Sequence, residues 1–168
     1  MSMLVNIRSL NKEDVEELNT IRRSEGVFET ILSLKNESID ETHQYFTGER
    51  IHTFIAETKE KNKIIGYIKL VIDEEKRRRH KAKISIAIHN DYKGKGVGSL
   101  LFTEAIDLAE NWLMLKKLEL TVLENNIQGI ELYKKFGFEV EGVSKADTVV
   151  NGHYADVVFM GKILTDRR

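Results

Sequence analysis

The chain has 168 residues, of which 41% are hydrophobic and 32% are charged, and this length suits a single domain, 1–168, with a buried core. Its 26 basic and 27 acidic side chains leave a formal net charge of −1, so no overall field favours nucleic acid or an anionic membrane. The absence of cysteine excludes disulfides, thiolate metal sites and an acyl-cysteine intermediate. No signal segment and no stretch of ~18 apolar residues is found, so we expect a cytoplasmic protein without membrane contact.

The first part of the chain predicts a strand followed by two helices. Leu4 to Ser9 has the pattern of a strand. Asn11, with Asp14 three residues later, resembles a helix N-cap, and the helix that follows has an apolar face. That face holds Val15, Leu18 and Ile21. Ser38 with Glu41 fits the capping box of a second, short helix.

The middle of the chain predicts three strands. Phe54 to Glu57 and Ile64 to Ile72 are rich in strand formers and are separated by a polar run, which indicates a hairpin with Gly66 as a candidate bulge. The basic run Arg77 to Lys81 lies between two strands without interleaved aromatic residues, which favours a solvated hairpin tip over a nucleic-acid site. Isoleucines then alternate with smaller or polar residues from Ile84 to Ile88, which predicts a third strand.

A glycine-rich turn follows this strand. Lys93-Gly94-Lys95-Gly96-Val97-Gly98 precedes an amphipathic helical pattern that ends near Trp112. The glycines permit positive φ and close approach of the backbone, and the unpaired N–H groups of the first helical turn favour an anion such as phosphate. The spacing matches neither a P-loop nor the dinucleotide fingerprint Gly-x-Gly-x-x-Gly.

The last third predicts a strand, a helix and a hairpin. Leu118 to Val122 alternates in the manner of a strand, and because a helix joins it to the strand ending at Ile88, the two strands are expected to lie parallel. A second helical motif runs from Asn126 to Phe138. Asn151-Gly152 is a type I′ turn signal that predicts a terminal hairpin.

Two of these segments resemble signatures of the GNAT family of acyl-CoA N-acyltransferases. Lys93, Gly96 and Gly98 correspond to Gln/Arg-x-x-Gly-x-Gly/Ala, with lysine replacing the first residue. Residues 126–138 resemble Asn-x-x-Ala-x-x-Leu-Tyr-x-x-x-Gly-Phe and depart from it at Gly129. The resemblance covers residues 82–142 well. Within the family, the chain is similar to a bacterial branch that includes L-amino-acid N-acetyltransferases.

The resemblance implies a fold and a cofactor site. The fold is a single α/β (α+β) domain with a mixed, mostly antiparallel sheet of about seven strands, a splayed parallel pair and about four helices. Acetyl-CoA is the implied co-substrate. Its pantetheine arm would pair with the backbone of Ile86, Ala87 and Ile88. The same arm would form a hydrogen bond with Asn126. Its pyrophosphate would bind the backbone N–H groups of Lys93, Gly94, Lys95, Gly96, Val97 and Gly98.

The family motif and the needs of the reaction indicate candidate catalytic residues. Tyr133 is the candidate general acid for the leaving CoA thiolate, because a phenol with a pKa of ~10 can share a proton with a thiol of ~8.5. A backbone N–H near Ile88 would stabilise the oxyanion. Glu119 is the candidate base for the acceptor amine, although a solvated or ion-paired glutamate is an alternative, and His89 is a weaker candidate. The 5 histidines show no metal-ligand spacing, so we expect no metal.

The expected reaction is direct N-acetylation of a primary amine. The acceptor pocket is expected around Arg22 to Thr30 and Lys145 to Asp156, where an amino acid, a polyamine, a protein N-terminus of the ribosomal type and an aminoglycoside all stay open. Arg22 and Arg23 are interpreted as a solvated helix face rather than as a carboxylate site. The expected partners are a small-molecule amine or a peptide N-terminus, with a homodimer left open. A non-catalytic CoA-binding regulator is the alternative, against which Tyr133 argues.

Overall fold

One mixed sheet of seven strands organises the protein. The computed structural model describes residues 4–164. The strands are β1 Val5–Ser9, β2 Ile51–Thr58, β3 Ile64–Ile72, β4 Lys81–Ile88, β5 Lys117–Leu123, β6 Glu139–Val150 and β7 His153–Ile163. They lie in the order β1-β2-β3-β4-β5-β7-β6, and only β4 and β5 are parallel. The predicted fold class is therefore confirmed.

Four α-helices connect and cover the strands. They are α1 Val15–Arg22, α2 Ile39–Phe46, α3 Val97–Asp107 and α4 Ile127–Lys135. Short 3-10 turns occupy Lys12–Asp14, Lys76–Arg78 and Asn90–Tyr92, and a π-helical turn, Leu108–Trp112, extends α3. Within residues 4–164, no helix is both long enough and apolar enough to cross a membrane.

The local signals in the sequence account for most element boundaries. Ser38 Oγ accepts a hydrogen bond from the Glu41 N–H at 3.0 Å, which caps α2 as predicted. Near Asn11, the chain first forms a 3-10 turn, in which the Asp14 carboxylate accepts the Asn11 N–H at 2.7 Å. The α-helix itself therefore begins only at Val15.

Glycine and asparagine determine two of the strand connections. The pairing of β2 with β3 shifts between Ala56 and Glu57, which leaves Ile65 as the extra residue beside Gly66. A Cβ atom at Gly66 would lie 2.9 Å from the Ala87 carbonyl oxygen, so the predicted bulge requires glycine there. Asn151 and its neighbouring glycine both have positive φ, as the predicted type I′ turn between β6 and β7 needs.

The sheet separates two apolar cores. Helices α3 and α4 pack on one face, where Leu101, Phe102 and Phe138 are fully buried. Helices α1 and α2 pack on the other face around Leu18 and Tyr67. Because side chains alternate along a strand, the even-numbered isoleucines of β4 face α3 and α4, and its odd-numbered residues face the α1 and α2 side.

The parallel strands β4 and β5 pair at three positions only. Lys81, Ala82 and Lys83 of β4 pair with 117, 118 and 119 of β5, and the two strands separate beyond this point. Residues 84–88 of β4 therefore keep their β3 partners while losing those on β5. This separation is the predicted splay, and it opens the centre of the sheet to the cavities described next.

Candidate active site

The glycine turn forms the entrance to α3. Gly94 and Gly96 have φ values of 74° and 84°, a region that non-glycine residues rarely adopt. A Cβ atom at Gly96 would meet no atom within 4 Å, so the backbone conformation, rather than lack of space, demands glycine there. Gly98 differs, because a Cβ atom would lie 2.8 Å from Leu132 of α4. The turn thus combines an open surface over the first N–H groups of α3 with close packing of α3 on α4.

A cavity of about 340 Å³ lies above this turn and is called here the donor cavity. Nearly all the predicted cofactor residues line it, namely Ile86, Ala87, Ile88, Lys93, Gly94, Gly96, Val97, Gly98 and Asn126. Lys95 is exposed outside it, with Nζ 5.8 Å from the ring centroid of Tyr92. The cavity's charged lining residues are Lys93 and Lys135, which suits an anionic ligand. Lys135 and Gln128 also line the cavity and were not predicted, because both occupy variable positions of the family signature.

Lys93 has a structural contact in addition to its place in the donor cavity. Its ammonium group donates a hydrogen bond to the carbonyl oxygen of Gly26, in the loop between α1 and α2. Burial lowers the pKa of Lys93, and the nearby Glu29 partly opposes this effect. Lys93 is therefore partly buried, and its ammonium group has a partner within the protein. It connects the glycine turn to the loop that leads from α1.

Asn126 caps α4 at the edge of the same cavity. Its Oδ1 accepts the Gly129 N–H at 2.9 Å. A Cβ atom at Gly129 would lie 2.7 Å from Nδ2 of Asn126, so the glycine that departs from the family signature makes room for this amide. The capping oxygen is thus engaged within the protein, and Asn126 also lines the donor cavity.

Tyr133 lies in the second turn of α4 and is 8% exposed. Its ring packs against Phe102, with centroids 5.6 Å apart, and against Phe138 at 6.5 Å. Burial raises the pKa of Tyr133 to about 12, so the phenol is a weaker acid than its ordinary value predicts. It stays fully protonated at physiological pH, which is the state required of a hydrogen-bond donor or general acid.

A second cavity, of about 200 Å³, meets the donor cavity at Tyr133 and is called the acceptor cavity. The two share Thr30, Ile86, Asn126 and Tyr133. Residues of the splayed strands, of the loop after α1, of α2 and of β7 complete its lining, with Ile31, Leu32, Tyr45, Lys83, Ile84, Ser85, Leu120, Thr121, Val122, Leu123 and Val157. Of the two regions expected around the acceptor, the first contributes Thr30, and no residue of 145–156 lines this cavity.

Glu119 and Tyr133, the two predicted catalytic residues, line different cavities. Glu119 lies at the last paired position of β4 and β5, opposite Lys83, and forms an ion pair with Lys81. It lines a third cavity, not the donor or acceptor cavity. Between residues 4 and 164, no acidic or histidine side chain lines the donor or acceptor cavity. His89 is also outside both, and its Nδ1 accepts the N–H of residue 91 at 3.1 Å.

The interpretation of Arg22 as a solvated residue is wrong. Arg22 is 3% exposed, and its Nε and Nη2 donate to the two Glu37 carboxylate oxygens at 2.7 and 2.8 Å. Its Nη1 donates to the Tyr67 hydroxyl at 2.6 Å, and its guanidinium lies 3.8 Å from the ring centroid of Tyr45. The pair with Arg22 lowers the pKa of Glu37 to about 2. Arg23, by contrast, is exposed as predicted.

This buried pair closes the loop that lines the acceptor cavity. Arg22 ends α1 and Glu37 precedes α2, so their contact fixes both ends of the segment carrying Thr30. Glu37 also accepts hydrogen bonds from Ser33 at 2.8 Å and from Thr42 at 2.6 Å. No group of three or more His, Cys, Asp or Glu residues that could hold a metal ion occurs in the described part of the chain.

Comparison with known proteins identifies the family of the chain. The profile of the acetyltransferase (GNAT) family matches residues 16–138. The chain belongs to the GNAT family. This membership confirms the predicted family and the predicted enzyme class, an N-acetyltransferase.

The relatives of this GNAT protein act on different amines. The chain is 36% identical over 100 residues to the L-amino acid N-acetyltransferase AaaT of Escherichia coli K12, a match that covers 60% of this chain and 62% of that relative. It is 28% identical to the spermidine N(1)-acetyltransferase of the same strain, over 93% of this chain and 84% of the relative. It also resembles the crystal structure of spermidine N-acetyltransferase from Vibrio cholerae in complex with CoA and spermine, with 26% identity, a TM-score of 0.83 and 95% of each chain covered.

Proposed function

We propose that this GNAT protein transfers the acetyl group of acetyl-CoA directly to the primary amine of a small molecule. The observation that carries the proposal is the meeting of the donor and acceptor cavities at Tyr133, in the opening between β4 and β5. Such a junction brings a thioester and an amine into contact without a covalent enzyme intermediate. We also propose that residues 1–168 act as one domain. A cytoplasmic location and a homodimer stay predictions.

The donor side supports binding of acetyl-CoA. The β5-facing edge of residues 86–88 is left without a strand partner by the splay, so its backbone groups are available to an extended pantetheine arm. The glycine turn and the N-terminus of α3 then face the pyrophosphate, and Lys135 adds positive charge beside it. Asn126 lines both the donor and the acceptor cavity, beside the expected position of the pantetheine arm.

The chemistry proceeds in two parts. The neutral amine attacks the thioester carbonyl carbon, so that a C–N bond forms and the oxyanion is stabilised by a backbone N–H near Ile88. The C–S bond then breaks and the electron pair leaves on the CoA sulfur, which takes its proton from the Tyr133 hydroxyl, and the phenolate is then reprotonated from water. The amine loses its extra proton to water, because no carboxylate or imidazole lines the acceptor cavity in the region from 4 to 164. Glu119 stays a predicted base only.

A free amino acid or a similarly small amine is the acceptor that the cavity favours. A polyamine acceptor would need carboxylates, since protonated amines bind best to opposite charges. The charged residue of the acceptor cavity is instead Lys83, and the cavity volume is only about 200 Å³. The relatives named for L-amino acids and for spermidine represent these two alternatives.

The test is an acceptor screen by CoA release. The purified protein is mixed with acetyl-CoA and with free amino acids, spermidine, aminoglycosides or N-terminal peptides, and acetylated products are identified by mass spectrometry. We expect turnover with at least one small amine. Acetyl-CoA binding without turnover on any acceptor would instead support the non-catalytic regulator, and turnover on peptides alone would replace the small-molecule acceptor.

A further inference from the structure

A third cavity adjoins the acceptor cavity on the same face of the sheet. The two share Tyr45, Lys83 and Ser85. Lys69 of β3 pairs with Ser85 of β4, and Val71 pairs with Lys83, so these side chains project from the face that α1 and α2 cover only in part. The third cavity therefore continues the acceptor cavity away from Tyr133, along β4 toward its N-terminal end.

Two of the three acidic residues of the third cavity form ion pairs, and the third accepts a hydrogen bond from the backbone. Glu119 forms an ion pair with Lys81, and Glu74 forms one with Arg50 at 3.4 Å. The Asp73 carboxylate accepts the N–H of residue 75 at 2.9 Å. These contacts neutralise two of the cavity's four cations, the other two being Lys69 and Lys83.

Lys69 and Lys83 have no carboxylate within ion-pair distance in the segment from 4 to 164. Lys69 is 7% exposed, and its ammonium group donates to the Tyr45 carbonyl oxygen at 3.0 Å and lies 3.1 Å from the Tyr45 ring centroid. An ammonium group has three donors, so this contact leaves capacity for a further partner. Burial, with Arg22 and Lys83 nearby, lowers the pKa of Lys69 to about 8.

The buried Lys69 ammonium group lacks a counter-ion, which is costly, and an anionic ligand held between it and the exposed Lys83 would remove that cost. We propose that Lys69 and Lys83 form a subsite for the carboxylate of an amino-acid acceptor whose amine reaches the acetyl group at Tyr133. The inference rests on the proposed function and names the feature that selects the acceptor. Lys83 lies three residues before Ile86 on β4, which is ~10 Å along the strand. A lysine side chain and a small amino acid together cover this distance. The two lysines would repel a polyamine, because it is positively charged.

The experiment compares an L-amino acid with the amine obtained by removing its carboxylate. Both are assayed at saturating acetyl-CoA with the parent protein and with Lys83→Ala. We expect the parent to favour the amino acid by kcat/KM, and Lys83→Ala to lower that value on the order of 10- to 100-fold, the usual effect of a lost charged hydrogen bond. The decarboxylated amine and the KM for acetyl-CoA should change less than about 2-fold.

Two further variants strengthen the comparison. Lys69→Met removes the buried cation while keeping an apolar side chain of similar length, and we expect the same selective loss for the amino acid. Its thermal midpoint and CoA affinity are measured to separate this loss from unfolding. Lys59→Ala is the control, since Lys59 is an exposed lysine in the turn between β2 and β3, away from all three cavities.

The outcomes separate this inference from the proposed function. Equal use of both acceptors by the parent, or an equal loss for both in Lys83→Ala, overturns the carboxylate subsite and leaves acetyl transfer intact. If the parent acetylates no amine, the proposed function fails, and the subsite is then judged by calorimetry of amino acids added to the CoA complex. Binding that Lys83→Ala weakens supports the subsite, and binding that is absent or unchanged contradicts it.

Discussion

Replacing Glu37 with glutamine removes the negative charge that faces Arg22 while keeping the side chain's size. The carboxylate accepts two hydrogen bonds from Arg22, at 2.7 and 2.8 Å, and one each from Ser33 and Thr42. Removing one partner of a buried ion pair costs ~3–5 kcal/mol. Because glutamine retains one accepting oxygen, we expect the lower end, about 3 kcal/mol. For a chain of this size that lowers the thermal midpoint by ~6–12 °C.

The same substitution should change how stability depends on pH. The folded pKa of Glu37, about 2, lies below its ordinary value of 4.5, so the unfolded chain takes up this proton first as the pH falls. The stabilisation from Glu37 is therefore complete above pH 4.5 and is lost as the pH drops toward 2. Glu37→Gln should lack this part of the acid-induced loss of stability.

Thermal unfolding followed by circular dichroism between pH 3 and 7 tests both expectations. Glu25→Gln is the matched control, because Glu25 is an exposed glutamate in the same loop. Since the Arg22 pair closes the loop that carries Thr30, the folded Glu37→Gln protein should also show a raised KM for the acceptor. A midpoint within 2 °C of the parent at pH 7, or an unchanged acid dependence, would refute the reasoning.

Two other predictions concern the donor cavity and use calorimetry with acetyl-CoA. Gly96→Glu should weaken binding at least 100-fold, because it places bulk and negative charge at the pyrophosphate position. The control is Gly152→Glu, which should bind acetyl-CoA normally. Gly152 has a similar φ of 79° but lies in the β6–β7 turn. Asn126→Ala should weaken binding about 5-fold through loss of one hydrogen bond to the ligand, and it should also remove the N-cap of α4. Asn126→Ser should lose the same affinity but keep the cap, because serine is also a good N-cap residue. Parent-like affinity in Gly96→Glu or in Asn126→Ala would contradict these two assignments.

The features that the sequence predicted correctly are those with local causes. Alternation defined β4, glycine spacing defined the turn before α3, and Asn151-Gly152 defined the last hairpin. The splay followed from the family resemblance rather than from any residue pattern. Most cofactor residues that the resemblance implied line one cavity, although their contacts with acetyl-CoA stay proposals.

The features that the sequence analysis missed depend on contacts between distant segments. Arg22 was assigned to the surface because its partner, Glu37, lies in a loop with no periodicity. The pairing of Glu119 with Lys81 depends on the register of two strands that a whole helix separates. Lys69 sits within an apolar strand, and only the packing of α2 reveals that its ammonium group is buried beside Tyr45.

We propose that acetyl transfer takes place where the donor and acceptor cavities meet at Tyr133. The most direct measurement is the turnover of Tyr133→Phe with a working acceptor between pH 6 and 9, with Tyr154→Phe, at a tyrosine that is 78% exposed, as the control. We expect a fall in kcat on the order of 100-fold, little change in CoA affinity, and a smaller loss with an acyl donor whose thiol is more acidic. Turnover of Tyr133→Phe at the parent rate throughout this pH range would contradict the claim and leave Tyr133 with a packing role only.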